Sequence, residues 1–285
     1  MQHAVNVPNF GTGGDPRVLV DLARSAEVAG WDGFFLWDHL LVDPTWRVDI
    51  ADPWIALAAI AQATTRIRLG TIVAALPRRR PAKVARETAS LDRLSGGRLT
   101  LGVGLGWPSG ADFGWFGDEE DVATRAAMLD ESLAILDGLW RGEPFAFEGT
   151  HYRVREATFL PRPLQEPRIP VWVGALRPGP DGPLRRAARW DGFVPADEDG
   201  FLPLEVFRRD VARVGELRRD AGVAPGVPFD MVAMGSTPAD DRAAAVATVA
   251  AFEDAGATWW QESVSDWLGG LDPMRARIEA GPPHR

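Results

Sequence analysis

Short runs of β-branched and apolar residues alternate along this chain with longer segments in which apolar residues recur every three or four positions. The first pattern is that of strands buried on both faces. The second is that of helices with one face turned inward. Strung alternately, they predict βαβ units and a parallel sheet. The first unit reads as a strand over Ala4–Pro8, a Gly-rich loop, and a helix that starts at Asp15-Pro16 and stops at Gly30. An aspartate there offers its carboxylate to the free amides of the first turn, and proline in the first helical position loses no hydrogen bond. Val18, Leu19, Leu22, Ala26 and Ala29 form the inward stripe of that helix. A strand over Gly33–Trp37 follows, and Asp52-Pro53 repeats the same helix start. Next come a strand over Ile67–Val73, a helix from Pro81 to Gly96-Gly97, a strand over Leu99–Val103 and a helix over Arg125–Trp140.

Residues 142–168 break the rhythm. Phe145–Phe147 and Tyr152–Val154 read as a small hairpin around Glu148-Gly149-Thr150, and three prolines mark the irregular stretch after it. Alternation then resumes with strands at Ile169–Val173, Gly192–Pro195, Phe229–Met234 and Ala257–Gln261. Their helices fall at Leu184–Trp190, 204–220, 240–254 and 273–280. Eight strands and eight helices in alternation over 285 residues suit an α/β fold of the (β/α)8 TIM-barrel kind. The hairpin is a small insertion after the fourth strand-helix unit, and no linker divides residues 1–285 into two domains. Gly11-Thr12-Gly13-Gly14 does not have the spacing of a dinucleotide-binding fingerprint, which counts against an open doubly wound sheet.

Composition narrows the chemistry. With 31 basic and 40 acidic residues the net charge is −9, and Arg78-Arg79-Arg80 is the one basic run, so nucleic acid is not an expected partner. No cysteine is present, which removes disulfides, thiolate metal sites and thiol nucleophiles and fits a cytoplasmic protein. No apolar run reaches the roughly 18 residues of a membrane span, and the amino terminus lacks the pattern of a secretory signal. The histidines His3, His39, His151 and His284 form no metal-ligand spacing, so no metal is expected. Nor is there a G-x-S-x-G nucleophile elbow. Twelve tryptophans beside a single tyrosine suggest flat side chains lining a pocket for a flat ligand.

A TIM barrel carries its active site at the carboxyl ends of the strands. That rule singles out Asp38-His39 after the second strand as the catalytic pair, because an imidazole moves protons near neutral pH; Asp38 either orients His39 or caps a turn. Gly104 and Leu105 follow the fourth strand, in a glycine cluster that either admits a ligand to the backbone or allows tight rim packing. Gly174, Ala175 and Arg177 follow the fifth, where amides and a guanidinium could hold a phosphate. Trp37, Trp46 and Trp107 are candidates for an apolar wall that receives an organic substrate. Glu262, after the last strand, reads as a surface carboxylate rather than a pocket wall.

The segment from Ala26 to His39, with Gly30-Trp31-Asp32-Gly33-Phe34-Phe35-Leu36-Trp37-Asp38-His39 at its end, resembles the signature of the luciferase-like flavin-dependent oxidoreductases. So do Asp52-Pro53-Trp54, Arg66-Ile67-Arg68-Leu69-Gly70-Thr71, the run from Arg86 to Arg98, Pro170-Val171-Trp172-Val173-Gly174 and Ala187-Ala188-Arg189-Trp190-Asp191-Gly192. The resemblance spans nearly the whole chain in order. It implies a barrel that binds FMN or the deazaflavin coenzyme F420, performing hydride transfer or monooxygenation on a small organic substrate. His39 matches the family's active-site histidine, and the Ile72–Val73 bond matches a non-prolyl cis peptide behind the ring. Two positions depart from the pattern: Leu105 stands where many FMN-binding relatives have an arginine on the phosphate, and Ala175 where bacterial luciferase has a phosphate-binding serine. Leu105 and the Asp38-His39 pair favour F420 slightly. Relatives are often homodimers, and a non-catalytic, flavin-binding member of the fold is the alternative reading.

Overall fold

The computed structural model describes residues 1–197 and 202–284. The predicted alternation is present. Strand β1 (Gln2–Val7) leads to α1 (Pro16–Val28), β2 (Gly33–Leu36) to α2 (Pro53–Ala63), and β3 (Arg68–Ala75) to α3 (Pro81–Ser95). Then β4 (Leu99–Gly104) is followed by a one-turn helix α4 (Ser109–Asp112) and by α5 (Val122–Trp140). An antiparallel hairpin of β5 (Pro144–Glu148) and β6 (Arg153–Thr158) comes next, outside the barrel. The second half runs β7 (Val171–Leu176), α6 (Gly182–Ala187), β8 (Gly192–Ala196), α7 (Leu204–Asp220), β9 (Asp230–Gly235), α8 (Arg242–Asp254), β10 (Trp259–Ser263) and α9 (Leu271–Glu279).

Eight of these strands close into a parallel barrel in the order β1-β10-β9-β8-β7-β4-β3-β2. The helix starts follow from the aspartates. Asp15 accepts a hydrogen bond from the Arg17 amide at 2.8 Å, and Asp52 accepts from Trp54 at 2.9 Å and Ile55 at 3.0 Å. Helix α3 ends where Gly96 takes a left-handed φ of 71°, which a side chain would oppose. The predicted insertion is the β5–β6 hairpin, anchored by Phe145 in the notch left by Gly138 of α5. Three strands run two or more residues further than the hydrophobic pattern predicts: β3 reaches Ala75, β7 Leu176 and β10 Ser263, so Gly174 and Ala175 are strand residues and not loop; Gly104 likewise closes β4.

The barrel is packed and is not a pore. Ala4, Phe35, Ile72, Trp172, Val194, Val232 and Trp259 fill its interior. Phe35 stacks on Trp172 with ring centroids 5.2 Å apart, and Trp172 meets Trp259 edge-on at 5.2 Å. Each such ring removes roughly 150–250 Å² from water, an upper bound of about 4–6 kcal/mol per side chain. Above this layer, toward the strand carboxyl ends, Trp37, Val73 and Met234 are half-buried. The Ile72–Val73 peptide is cis, at the position the resemblance indicates. None of the described helices is long and apolar enough to cross a membrane.

Candidate active site

His39 stands two residues past Trp37 at the mouth of the barrel. Asn9, after β1, clamps its backbone. The Asn9 carboxamide oxygen accepts from the His39 amide at 3.0 Å, and its nitrogen donates to the carbonyls of His39 and Ala51, both at 2.8 Å. Asn9 is fully buried, so this peptide-like pairing is not contested by water. The imidazole lies beside Phe10 at 5.6 Å and Trp37 at 5.8 Å, and its side chain is 14% exposed.

The acid that orients His39 is Asp112, 73 residues away at the end of α4. Its Oδ2 lies 2.8 Å from His39 Nδ1. Its Oδ1 accepts from the amides of Leu40 at 2.8 Å and Leu41 at 2.7 Å, which ties the loop after β2 to the loop after β4. Burial alone would raise the Asp112 carboxyl. The hydrogen bond and charge of His39, the Leu41 amide and Arg78 outweigh it and hold the carboxyl below its ordinary range. An ionised carboxylate can only accept, so His39 keeps its proton on Nδ1. In the neutral imidazole, Nε2 then carries a lone pair. Among the described residues no group hydrogen-bonds to Nε2, so that lone pair is free for a ligand.

Asp38 does not play the part of orienting acid. Its carboxylate is 1% exposed and makes no hydrogen bond to the imidazole. It receives Arg79 Nη2 at 2.6 Å and the Ala75 amide at 3.1 Å, and it pairs with Arg78 at 3.2 Å. Arg78 also stands 3.2 Å from Asp112. The result is a buried chain of alternating charge, Arg79, Asp38, Arg78 and Asp112, that ends on His39. Two guanidinium groups neutralise two carboxylates beneath the mouth, and the basic run noted in the sequence owes two of its three members to this structural task. Unpaired, either carboxylate would cost several kcal/mol to bury.

The phosphate-binding assignment of Arg177 is also corrected. Its Nε and Nη2 lie on the two oxygens of Asp210 at 2.9 and 2.7 Å, and its Nη1 donates to the carbonyls of Gly179 and Pro180. This guanidinium is buried and taken up by α7 and its own loop. The strand-end glycines serve packing. A Cβ on Gly104 would stand 2.6 Å from one Val73 methyl, and one on Gly174 would stand 2.6 Å from the other. Val73 is therefore seated in a cradle between the two glycines, and Leu105 and Ala175 are half-buried. Ile72, its cis partner, is buried in the barrel interior. Glu262 is neither surface carboxylate nor pocket wall. Fully buried, it accepts from the Thr237 amide at 2.6 Å and from Trp260 at 2.9 Å, and it pairs with Arg277 of α9 at 3.0 Å.

Of the three tryptophans expected in the wall, two are joined to His39 through rings. Trp37 packs against His39 directly, and Trp46 reaches it through Phe10, 6.4 Å away. Trp107 is 55% exposed on the rim. Sequence reasoning missed Asp112, Phe10 and Trp267, the last lying 6.4 Å from Trp37. The one signal for Asp112 was an acid in a loop at the correct end of a strand, a property it shares with many others.

The chain is thus a closed parallel barrel with a histidine-carboxylate pair at the carboxyl ends of its strands. The chain belongs to the luciferase-like monooxygenase family, whose sequence profile matches residues 2–280. A relative from Nakamurella multipartita described as an F420-dependent glucose-6-phosphate dehydrogenase is 36% identical over 190 residues, 63% of this chain and 52% of the relative. The fold is shared with an F420-dependent secondary alcohol dehydrogenase solved with an F420-acetone adduct, at a TM-score of 0.81 and 18% identity over 100% of this chain and 99% of that one. It is shared too with the oxygenating component of 3,6-diketocamphane monooxygenase from Pseudomonas putida, solved with FMN, at a TM-score of 0.77 and 17% identity over 98% and 96% of the two chains.

Proposed function

We propose that this protein is an F420- or FMN-dependent oxidoreductase in which His39 holds and moves a proton beside the coenzyme ring. The observation that carries the reading is the His39–Asp112 pair, which leaves Nε2 as an acceptor at the open end of a barrel whose family relatives include F420-dependent enzymes. The ring end of either coenzyme fits the residues present: Val73 in its glycine cradle offers a flat apolar wall, Phe10 and Trp37 flank the imidazole, and Nε2 has no competing partner among the described residues. When bound, such a coenzyme would supply two-electron redox chemistry. This chain's part is to fix the imidazole through Asn9 and Asp112, to hold a proton on Nδ1, and to exclude water with aromatic side chains. Leu105 offers a phosphate no charge and Arg177 is engaged by Asp210, so neither meets the phosphate that both coenzymes carry.

Titrating the purified protein with F420 and with FMN, followed by absorbance, tests this. Saturable binding of F420, and reduction of the bound coenzyme by a secondary alcohol such as 2-propanol or by another two-electron donor, supports the reading. Failure to bind either coenzyme, or binding with no reduction by any donor, overturns it in favour of a non-catalytic member of the fold.

A further inference from the structure

All the exposed aromatic side chains of the described residues lie at one end of the barrel. Trp46 follows β2; Trp107, Trp115 and Phe116 follow β4; Trp267 follows β10, and their exposures run from 51 to 72%. Strands β10, β1, β2, β3 and β4 are consecutive around the barrel, so the three loops stand over the same half of the mouth. Scattered singly, such residues would need no explanation, but clustered around an active site they mark a surface that binds apolar groups. Two of them lead inward. Trp46 meets Phe10 at 6.4 Å and Phe10 meets His39 at 5.6 Å, while Trp267 meets Trp37 at 6.4 Å and Trp37 meets His39 at 5.8 Å. Each path is a file of rings from solvent to the imidazole.

Charge in the same loops is one-sided. Asp43 and Asp49 lie in the loop after β2, Asp118, Glu119, Glu120 and Asp121 in the loop after β4, and Asp266 beside Trp267. Arg47 is the single arginine or lysine the three loops contain. The loop after β3, in the same half, adds Arg80, exposed, while Arg78 and Arg79 are taken up by Asp38 and Asp112. Carboxylates thus prevail around this half of the mouth and disfavour anions there, and aromatic faces attract apolar rings.

We infer that this collar selects an uncharged, ring-bearing organic substrate and rejects phosphorylated or carboxylated ones. The inference rests on the redox reading of the same mouth and names its substrate class. The probes 2-naphthol and 2-naphthyl phosphate share one ring system and differ by a charged phosphoryl group, and equilibrium dialysis against the purified protein, with and without the coenzyme it binds, measures both. The collar predicts at least tenfold tighter binding of 2-naphthol, and a narrower gap at 0.5 M NaCl as the carboxylates are screened. Trp267→Ala removes an exposed side chain and leaves the fold intact; it lowers 2-naphthol affinity at least fivefold. Equal or tighter binding of the phosphate ester, or unchanged 2-naphthol binding in Trp267→Ala, overturns the inference. So does a sedimentation result in which Trp267→Ala dissociates an oligomer, since the collar would then be an interface between copies. A protein that binds no coenzyme yet keeps the preference for 2-naphthol would refute the redox reading alone. One that binds and reduces coenzyme but prefers the ester would refute the collar alone.

Discussion

His39 and His3 belong to neighbouring strands but lie at opposite ends of the barrel. His3 sits near the start of β1, buried, with neither ring nitrogen hydrogen-bonded; its ring meets the edge of His284 at 4.5 Å. Burial, aided by the nearby His284, pushes its pKa down to about 4. His39 is the more open of the two, yet it has a clamped backbone, a carboxylate on Nδ1 and a free Nε2. The contrast separates enclosure from function. Enclosure by itself yields a neutral imidazole that packs like any other ring, whereas a paired acid yields a defined tautomer aimed at a site.

Breaking the functional side has the largest expected effect. His39→Ala lowers the rate of coenzyme reduction by about 10²–10⁴-fold while changing coenzyme affinity by about tenfold or less; His3→Phe leaves that rate within about twofold. Equal losses in the two variants would erase the distinction. Next comes the charge chain that supports the mouth. Asp38→Ala leaves Arg79 without its carboxylate and Arg78 with Asp112 alone, and chemical denaturation is expected to show a loss of about 3–5 kcal/mol.

The structural side is sharpened by pH. The folded His3 titrates near 4, below the ordinary value of 6.5, so the unfolded chain binds the extra proton first as the solution is acidified. The stability His3 contributes is therefore complete above pH 6.5 and is lost as the pH falls toward 4. The loss amounts to roughly 2–3 kcal/mol. Denaturation midpoints of His3→Phe are expected to fall less steeply over that window than those of the parent chain. The smallest effect belongs to the wall. Gly174→Ala drives a Cβ to 2.6 Å from a Val73 methyl, and a thermal melt is expected to report a cost of about 1–3 kcal/mol.

The barrel was legible because each of its elements carries a local cause. The aspartate-proline helix starts, the glycine stop at Gly96 and the buried apolar strands all act within a few residues of where they are written. His39 was legible for a related reason: a strand end fixes its position. The partners were not. Asp38 adjoins His39 in sequence, but successive side chains at a strand's exit point in different directions, and the neighbour that matters arrives from another loop 73 positions on. Arg177 looked available for phosphate because nothing nearby in sequence neutralises it; Asp210, on α7, does so. Glu262 looked like surface until α9 brought Arg277 against it. Pairing across the fold is set by how helices and loops close over the strands, and hydrophobic periodicity holds no record of it.

The account turns on which imidazole nitrogen bears the proton, and long-range ¹H–¹⁵N correlation spectroscopy of the histidine rings measures this directly. The neutral His39 ring, its signals assigned by their loss in His39→Ala, is expected to carry its proton on Nδ1 and none on Nε2, with the preference weakened in Asp112→Asn. A His39 ring protonated on Nε2 alone, or one indifferent to the change at Asp112, would contradict it.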